Sequence, residues 1–182
     1  MDAITMIKER RSVRKYTSEK ISRELMTEIV DLAKWSPSWA NQQIARYTII
    51  DNPETIKALV NEGVHKFSYN MNTLAHASSV AVISYVKGKS GVVPAQYGVE
   101  GLKPMDWEMF DSGIACQTFC LAAHAKGVGT CIFGIMDSEK ISELLSVPAE
   151  ETVAVVIACG IEDGTHASPT PRKELNEILR FI

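Results

Sequence analysis

No stretch of this chain approaches the roughly 20 consecutive apolar residues that a helix needs to cross a bilayer, and its N-terminus, MDAITMIKERR, lacks the apolar core of a secretory signal. The expectation is a cytoplasmic protein with no membrane partner. Cysteine is scarce: Cys116, Cys120, Cys131 and Cys159 sit in apolar segments and form no CxxC pair, which favours buried thiols over disulfides or a zinc site. Cys116 and Cys120, spaced i, i+4, share a helix face and read as packing residues rather than redox ones. The histidines are scattered without an HExxH, so metal catalysis and a Ser/His/Asp hydrolase find little support. His124, alone on a helix, reads as a satisfied or exposed side chain. No GxGxxG follows a strand and no GxxxxGKS/T occurs, which removes the Rossmann and P-loop routes to a nucleotide. Nor does one sign of charge dominate. A net charge of −3 gives no global pull toward nucleic acid, and no repeat or composition shift divides residues 1–182, which read as one domain.

What is present is an ordinary globular composition organised around Phe110 to Gly134, FDSGIACQTFCLAAHAKGVGTCIFG. Ile114, Phe119, Leu121, Ala122 and Ala125 fall on most faces of one helix, so it should be buried nearly all round as a core or an interface. Ala115, Ala122, Ala123 and Gly113 would admit a second helix, and Gly127 with Gly129 end the run before a short strand, Thr130 to Phe133. Around it stand a helix capped by Asp2, another capped by Ser22 with Leu25, Ile29, Leu32 and Ala33 as its buried stripe, and a third opened by Asn52 and Pro53. The apolar runs Val80 to Val86 and Thr152 to Gly160 read as strands covered on both faces. Helices alternating with strands predict a layered fold, α/β or α+β.

Three stretches carry chemistry. In ERRSVRKY, the cations Arg10, Arg11, Arg14 and Lys15 crowd a helix end around Ser12; this is either a solvated basic face or an anion site, in which guanidinium forks and a hydroxyl take phosphate oxygens. In SPSWANQQ, a plain loop by composition, Asn41, Gln42 and Gln43 offer amides suited to the edge of a heteroaromatic ring and Trp39 a stacking face. From Gly88 to Pro104 no period survives, and a loop of that length suits a lid or binding loop that could bring Tyr97 to a pocket.

RRSVRKY near the N-terminus, PSWANQQ after a helix, DxGxxxQxxxLAAxAxGxGT along the central helix and Pro171-Arg172 near the C-terminus, in that order, resemble the nitroreductase family of flavoproteins. The resemblance implies an α+β fold with a central mixed sheet wrapped by helices, and an intertwined homodimer whose long central helices pack together with an FMN at each of two interface sites. It carries Arg10, Arg11, Ser12 and Arg14 to the FMN phosphate, ribityl chain and pyrimidine end, with Arg172 and Lys173 completing the phosphate clamp. Pro37, Ser38 and Asn41 would reach the same flavin from the partner subunit. Asn70, with Gln43 beside it, would contact the ring, and Gly134 and Ile135 would pass its N5 side. Trp39, Tyr97 and Phe133 are then pocket walls. The chain departs from some relatives at Thr73 and Phe133, where those carry a basic and an acidic residue. The implied activity is an FMN-dependent oxidoreductase taking hydride from NADH or NADPH and passing it to a nitroaromatic, a quinone or a similar acceptor, with no catalytic side chain and no metal. Alternatives are a flavin-binding or redox-sensing protein with little turnover, a relative performing reductive dehalogenation, or a colourless monomer whose basic cluster meets an acidic partner.

Overall fold

The computed structural model describes residues 2–64, 67–93, 106–165 and 168–182. Its elements follow the punctuation of the sequence. Helix α1 (Ala3–Glu9) starts where Asp2 accepts from the backbone N–H groups of Ile4 and Thr5. Helix α2 (Arg23–Ala33) starts on Ser22, and α3 (Pro53–Ala58) on Asn52, before running into a wider turn, Leu59–Gly63. Then come α4 (Ser68–Ala75), the long α5 (Trp107–Ala125), α6 (Ser138–Leu145) opened by Asp137, and the single turn α7 (Leu175–Ile178). The strands are β1 (Ala45–Ile50), β2 (Ser79–Val86), β3 (Gly129–Phe133) and β4 (Glu151–Gly160).

They form one sheet in the order β1-β2-β4-β3, with every neighbouring pair antiparallel. Because β2 and β3 both run against β4, they are parallel to each other, and α5 is the crossover between them, a split βαβ unit. An isolated parallel bridge from Ser12 to Thr130 lies at the β3 edge, outside these four antiparallel strands. The central strands alternate between two cores. Ala81, Ile83, Ile157 and Cys159 face α2 and α5. Val80, Val82, Val156 and Ala158 face the opposite layer with Leu59, Leu74 and Ile141.

Two expectations change. On α2 the buried positions are Met26, Ile29 and Ala33, while Leu32 is exposed; at 100° per residue Leu25 and Leu32 fall on the flank of that stripe. On α5, Ala115, Cys116, Phe119, Cys120, Ala122 and Ala123 are buried, but Met109, Phe110, Gly113 and Gln117 lie open. None of the described residues covers that stripe. It borders a groove of about 370 Å³ lined with Met109, Gly113, Gln117, Ile132 and Val155.

Candidate functional site

The basic strip is pinned to β3 by backbone. The Val13 N–H donates to the Thr130 carbonyl at 2.9 Å, and Val13 lies so close to Gly129 that a Cβ there would come within 2.8 Å of the Val13 Cβ. Tyr16 packs against Gly160, where an added Cβ would meet its ring at 2.5 Å, and its hydroxyl donates to the Val13 carbonyl at 2.7 Å. With Val13 turned inward, extended backbone sends Ser12 and Arg14 to the other face.

Arg14 donates from Nη1 to the Ser12 carbonyl at 3.0 Å, and its guanidinium carbon stands 5.7 Å from the centre of the Tyr69 ring, a cation–π contact. Tyr69 precedes the buried Asn70, whose Nδ2 donates to the Ile135 carbonyl at 3.4 Å. Gly134 and Ile135, leaving β3, are exposed. The fold thus brings Ser12, Arg14, Asn70 and Ile135 around the open end of β3. Thr73, below them, is buried and donates to the Tyr69 carbonyl, so it adds no charge.

Arg11 folds back, giving Nη1 to the carbonyls of Lys8 at 2.6 Å and Arg10 at 2.9 Å. Arg10 Nε is buried with no hydrogen-bond partner, and so is His124 Nε2 near the end of α5. His124 is therefore neither satisfied nor fully exposed. Burial, with the Arg10 and Arg11 cations beside it and Glu9 opposing them, pushes its imidazole below the ordinary histidine range. Elsewhere some cations are paired, Arg23 with Asp51, Lys34 with Asp31, Lys126 with Glu28, and Lys140 with Glu62 and Glu143. Among the described residues Arg10, Arg11 and Arg14 have no carboxylate within ion-pair distance. Unpaired guanidinium groups and an orphaned buried donor suit an anion such as a phosphate ester.

The second candidate region is the loop between α2 and β1. Its Ala40, Asn41 and Gln43 hold φ of 44°, 55° and 50°, the left-handed region that side-chain-bearing residues enter at a cost. Ser38 Oγ accepts from the Gln43 N–H at 2.8 Å. The Trp39 N–H donates to the buried Asp111 carboxylate, 3.0 Å from Oδ2 and 3.2 Å from Oδ1, and the Trp39 ring leans on Trp107 with centroids 4.7 Å apart. Pro37 and Asn41 are exposed. Asp111 was legible only as the first letter of the central-helix pattern; a carboxyl group on an otherwise apolar helix face was the available signal.

The remaining candidates sit elsewhere. Phe133, expected as a pocket wall, is buried in the core opposite α5, because β3 turns Cys131 and Phe133 to that layer and only Ile132 outward. Arg172 donates to Thr170 and Pro171, and every residue of 168–182, Lys173 included, is exposed. Arg172 and Lys173 precede the α7 cap, Glu174. Tyr97 and most of the Gly88 to Pro104 stretch lie outside the described residues. A groove of about 540 Å³ between α2 and β1, lined by Arg23, Met26, Val30, Lys34, Tyr47 and Ile49, contains none of the candidates.

The sequence model of the nitroreductase family matches residues 7–161. The chain belongs to the nitroreductase family. A protein of Methanothermobacter thermautotrophicus, provisionally named NADH dehydrogenase/NAD(P)H nitroreductase, is 27% identical over 164 residues, covering 88% of this chain and 77% of the relative. A nitroreductase family protein from Streptococcus pneumoniae has a similar fold, with a TM-score of 0.86 at 16% identity and full coverage of both chains. A provisionally assigned nitroreductase from Exiguobacterium sibiricum, solved in complex with FMN, superposes with a TM-score of 0.85 at 24% identity over 100% of this chain and 98% of that one. Among the described residues no helix is long and apolar enough to cross a membrane.

Proposed function

We propose that this chain is an FMN-dependent NAD(P)H oxidoreductase acting on nitroaromatic, quinone or similar acceptors, and that it works as a homodimer. The observation that carries the proposal is the buried, unpartnered Nε of Arg10 within a strip of unpaired guanidinium groups pinned to β3. Arg10, Arg11 and Ser12 would hold the phosphate and ribityl chain, and Arg14 and Asn70 the ring, alongside the backbone of Gly134 and Ile135. Bound there, FMN supplies a centre that accepts hydride from NAD(P)H and yields it to the acceptor in a second half-reaction. The cation of Arg14 would stabilise the negative charge that develops on the ring on reduction. No side chain acts as acid, base or nucleophile; the protein supplies position, field and exclusion of water.

The positions of the parts support a dimer. Arg10 and Arg11 lie beside His124, near the C-terminal end of α5, whereas the loop with Pro37, Ser38 and Asn41 is bonded to Asp111 near its N-terminal end. At about 1.5 Å rise per residue, Asp111 and His124 are separated by about 20 Å along the helix, which favours the loop and the strip of one chain serving different flavins. A second copy related by a two-fold axis across the open α5 stripe sets the loop of one chain against the strip of the other. It would also cover Met109, Phe110, Gly113 and Gln117. The exposed arm 168–182, with Leu175, Ile178, Leu179 and Phe181 uncovered, then has a partner to embrace, and Arg172 and Lys173 a route to the phosphate.

The test is the visible spectrum of the purified protein, with NADH and then NADPH added without oxygen. A yellow protein with about one FMN per chain that bleaches supports the reductase; a yellow one that does not bleach moves the weight to a binding or sensing role. A colourless protein that takes up no FMN overturns both.

A further inference from the structure

We infer that Asp111 is a positioning residue for the flavin-facing loop, and that through Ser90 its carboxylate also ties that loop to the segment following β2. The inference rests on the flavin reading above. Asp111 is 2% exposed and has no ion pair among the described residues; a buried carboxylate persists there only if hydrogen bonds satisfy it. Its donors come from two separate places. The Trp39 N–H comes from the loop at 3.0 Å and 3.2 Å, and the Ser90 hydroxyl donates at 2.6 Å. Ser90 sits between Gly88 and Gly91, both left-handed, with φ of 72° and 77°.

The loop depends on these ties. Three of its side-chain-bearing residues are left-handed, and strained backbone persists only where its surroundings over-determine it. The loop borders a pocket of about 230 Å³, lined by Ser36, Pro37, Ser38, Gln43, Arg46 and Asp111. Gly91 provides a second link to the same place: a Cβ there would stand 3.0 Å from Trp107, the ring on which Trp39 leans. A shift at 88–91 therefore reaches Trp39 by two routes, through Asp111 and through Trp107, and moves the loop over the flavin. One carboxylate would then make cofactor grip and the β2 exit segment respond together.

The experiment compares Ser90→Ala, Asp111→Asn and Asp111→Ala in the FMN-loaded protein, reading FMN Kd, KM against kcat for the nicotinamide donor, thermal midpoint and the near-ultraviolet circular dichroism of the tilted Trp39–Trp107 pair. Asparagine keeps an acceptor for Trp39 and offers Ser90 a donor, so D111N should stay within about three-fold of wild-type FMN affinity, while S90A weakens it by roughly ten-fold, the worth of one hydrogen bond. D111A should lose more and alter the tryptophan signal, which D111N retains. FMN Kd, KM and tryptophan signal all unchanged in S90A would overturn the inference, as would D111N falling as far as D111A. If D111A does not fold, S90A and D111N decide between them. If the wild type takes up no FMN, the flavin reading fails by itself, and the tryptophan signal of S90A still decides whether Ser90 and Asp111 set the loop.

Discussion

Alanine at Gly129 should displace the whole basic strip. The new Cβ would lie 2.8 Å from Val13 Cβ and 2.9 Å from both of its methyl carbons, an overlap approaching 1 Å against ordinary carbon contacts of about 3.5–4.0 Å. Val13 cannot rotate clear, because its own Cβ is the nearest atom and a β-branched side chain is stiff. The backbone must retreat instead, and the Val13–Thr130 hydrogen bond, now 2.9 Å, lengthens past the range in which it holds. Overpacking of this kind costs about 1–3 kcal/mol and the lost bond about 1 kcal/mol. For a chain of this size the melting temperature should fall by roughly 4–16 °C, and FMN affinity should fall with it as Ser12 and Arg14 leave their places. Thermal denaturation and FMN titration of Gly129→Ala measure both. A second variant isolates the cause: Val13→Ala removes two of the three clashing carbons, so the double substitution should cost less than the sum of the single ones by about 1 kcal/mol. Wild-type melting and FMN affinity in G129A, or strictly additive costs in the pair, would refute the account.

Arg14→Ala should make the bound flavin harder to reduce, shifting its midpoint potential by roughly 20–45 mV to the negative, the equivalent of one lost charge-assisted contact for a two-electron couple; an unchanged potential in a redox titration removes Arg14 from the ring edge. Gly113→Leu meets open space in one chain but a second helix in the proposed dimer, so size exclusion at micromolar concentration should show dissociation and loss of FMN, and an unaltered dimer places the interface elsewhere. His124 sets a pH dependence. Its folded pKa lies below its unfolded value, so its contribution to stability is complete above about pH 6.5 and is lost as pH falls through that value toward the folded one. The melting temperature of FMN-free protein should drop on that side, less so in His124→Gln, and added inorganic phosphate should blunt the drop; a flat profile in the wild type contradicts the burial of this group.

Much of the fold was legible because it is written in local chemistry. Asp2, Ser22 and Asn52 each cap the helix they announce, since a short side-chain acceptor before an amphipathic run satisfies N–H groups that the helix itself leaves open. Strand direction was not legible: Val80 to Val86 and Thr152 to Gly160 are continuous apolar runs whether their neighbours are parallel or antiparallel, because burial on both faces erases the alternation that would tell them apart. Leu32 and Phe133 were misplaced for a related reason. Composition says how apolar a residue is; which way a helix is rolled or a short strand is faced depends on contacts distant in sequence.

The site divides along the same line. Arg10, Ser12 and Arg14 could be singled out because their side chains offer anion-binding chemistry themselves, and Asn70 through the family resemblance. Gly129, Gly160, Tyr16 and Ser90 could not, since each acts by holding something else, and only the folded chain says what. Gly129 looked like a helix stop beside Gly127. Gly127 does have the left-handed φ of 79° that such a role needs, whereas Gly129 is small because Val13 crosses it. Two glycines in one turn thus answer to different demands, one to the path of its own backbone and one to the approach of another strand. The second places the arginines, so the precision of the proposed anion site depends on a residue with no side chain at all.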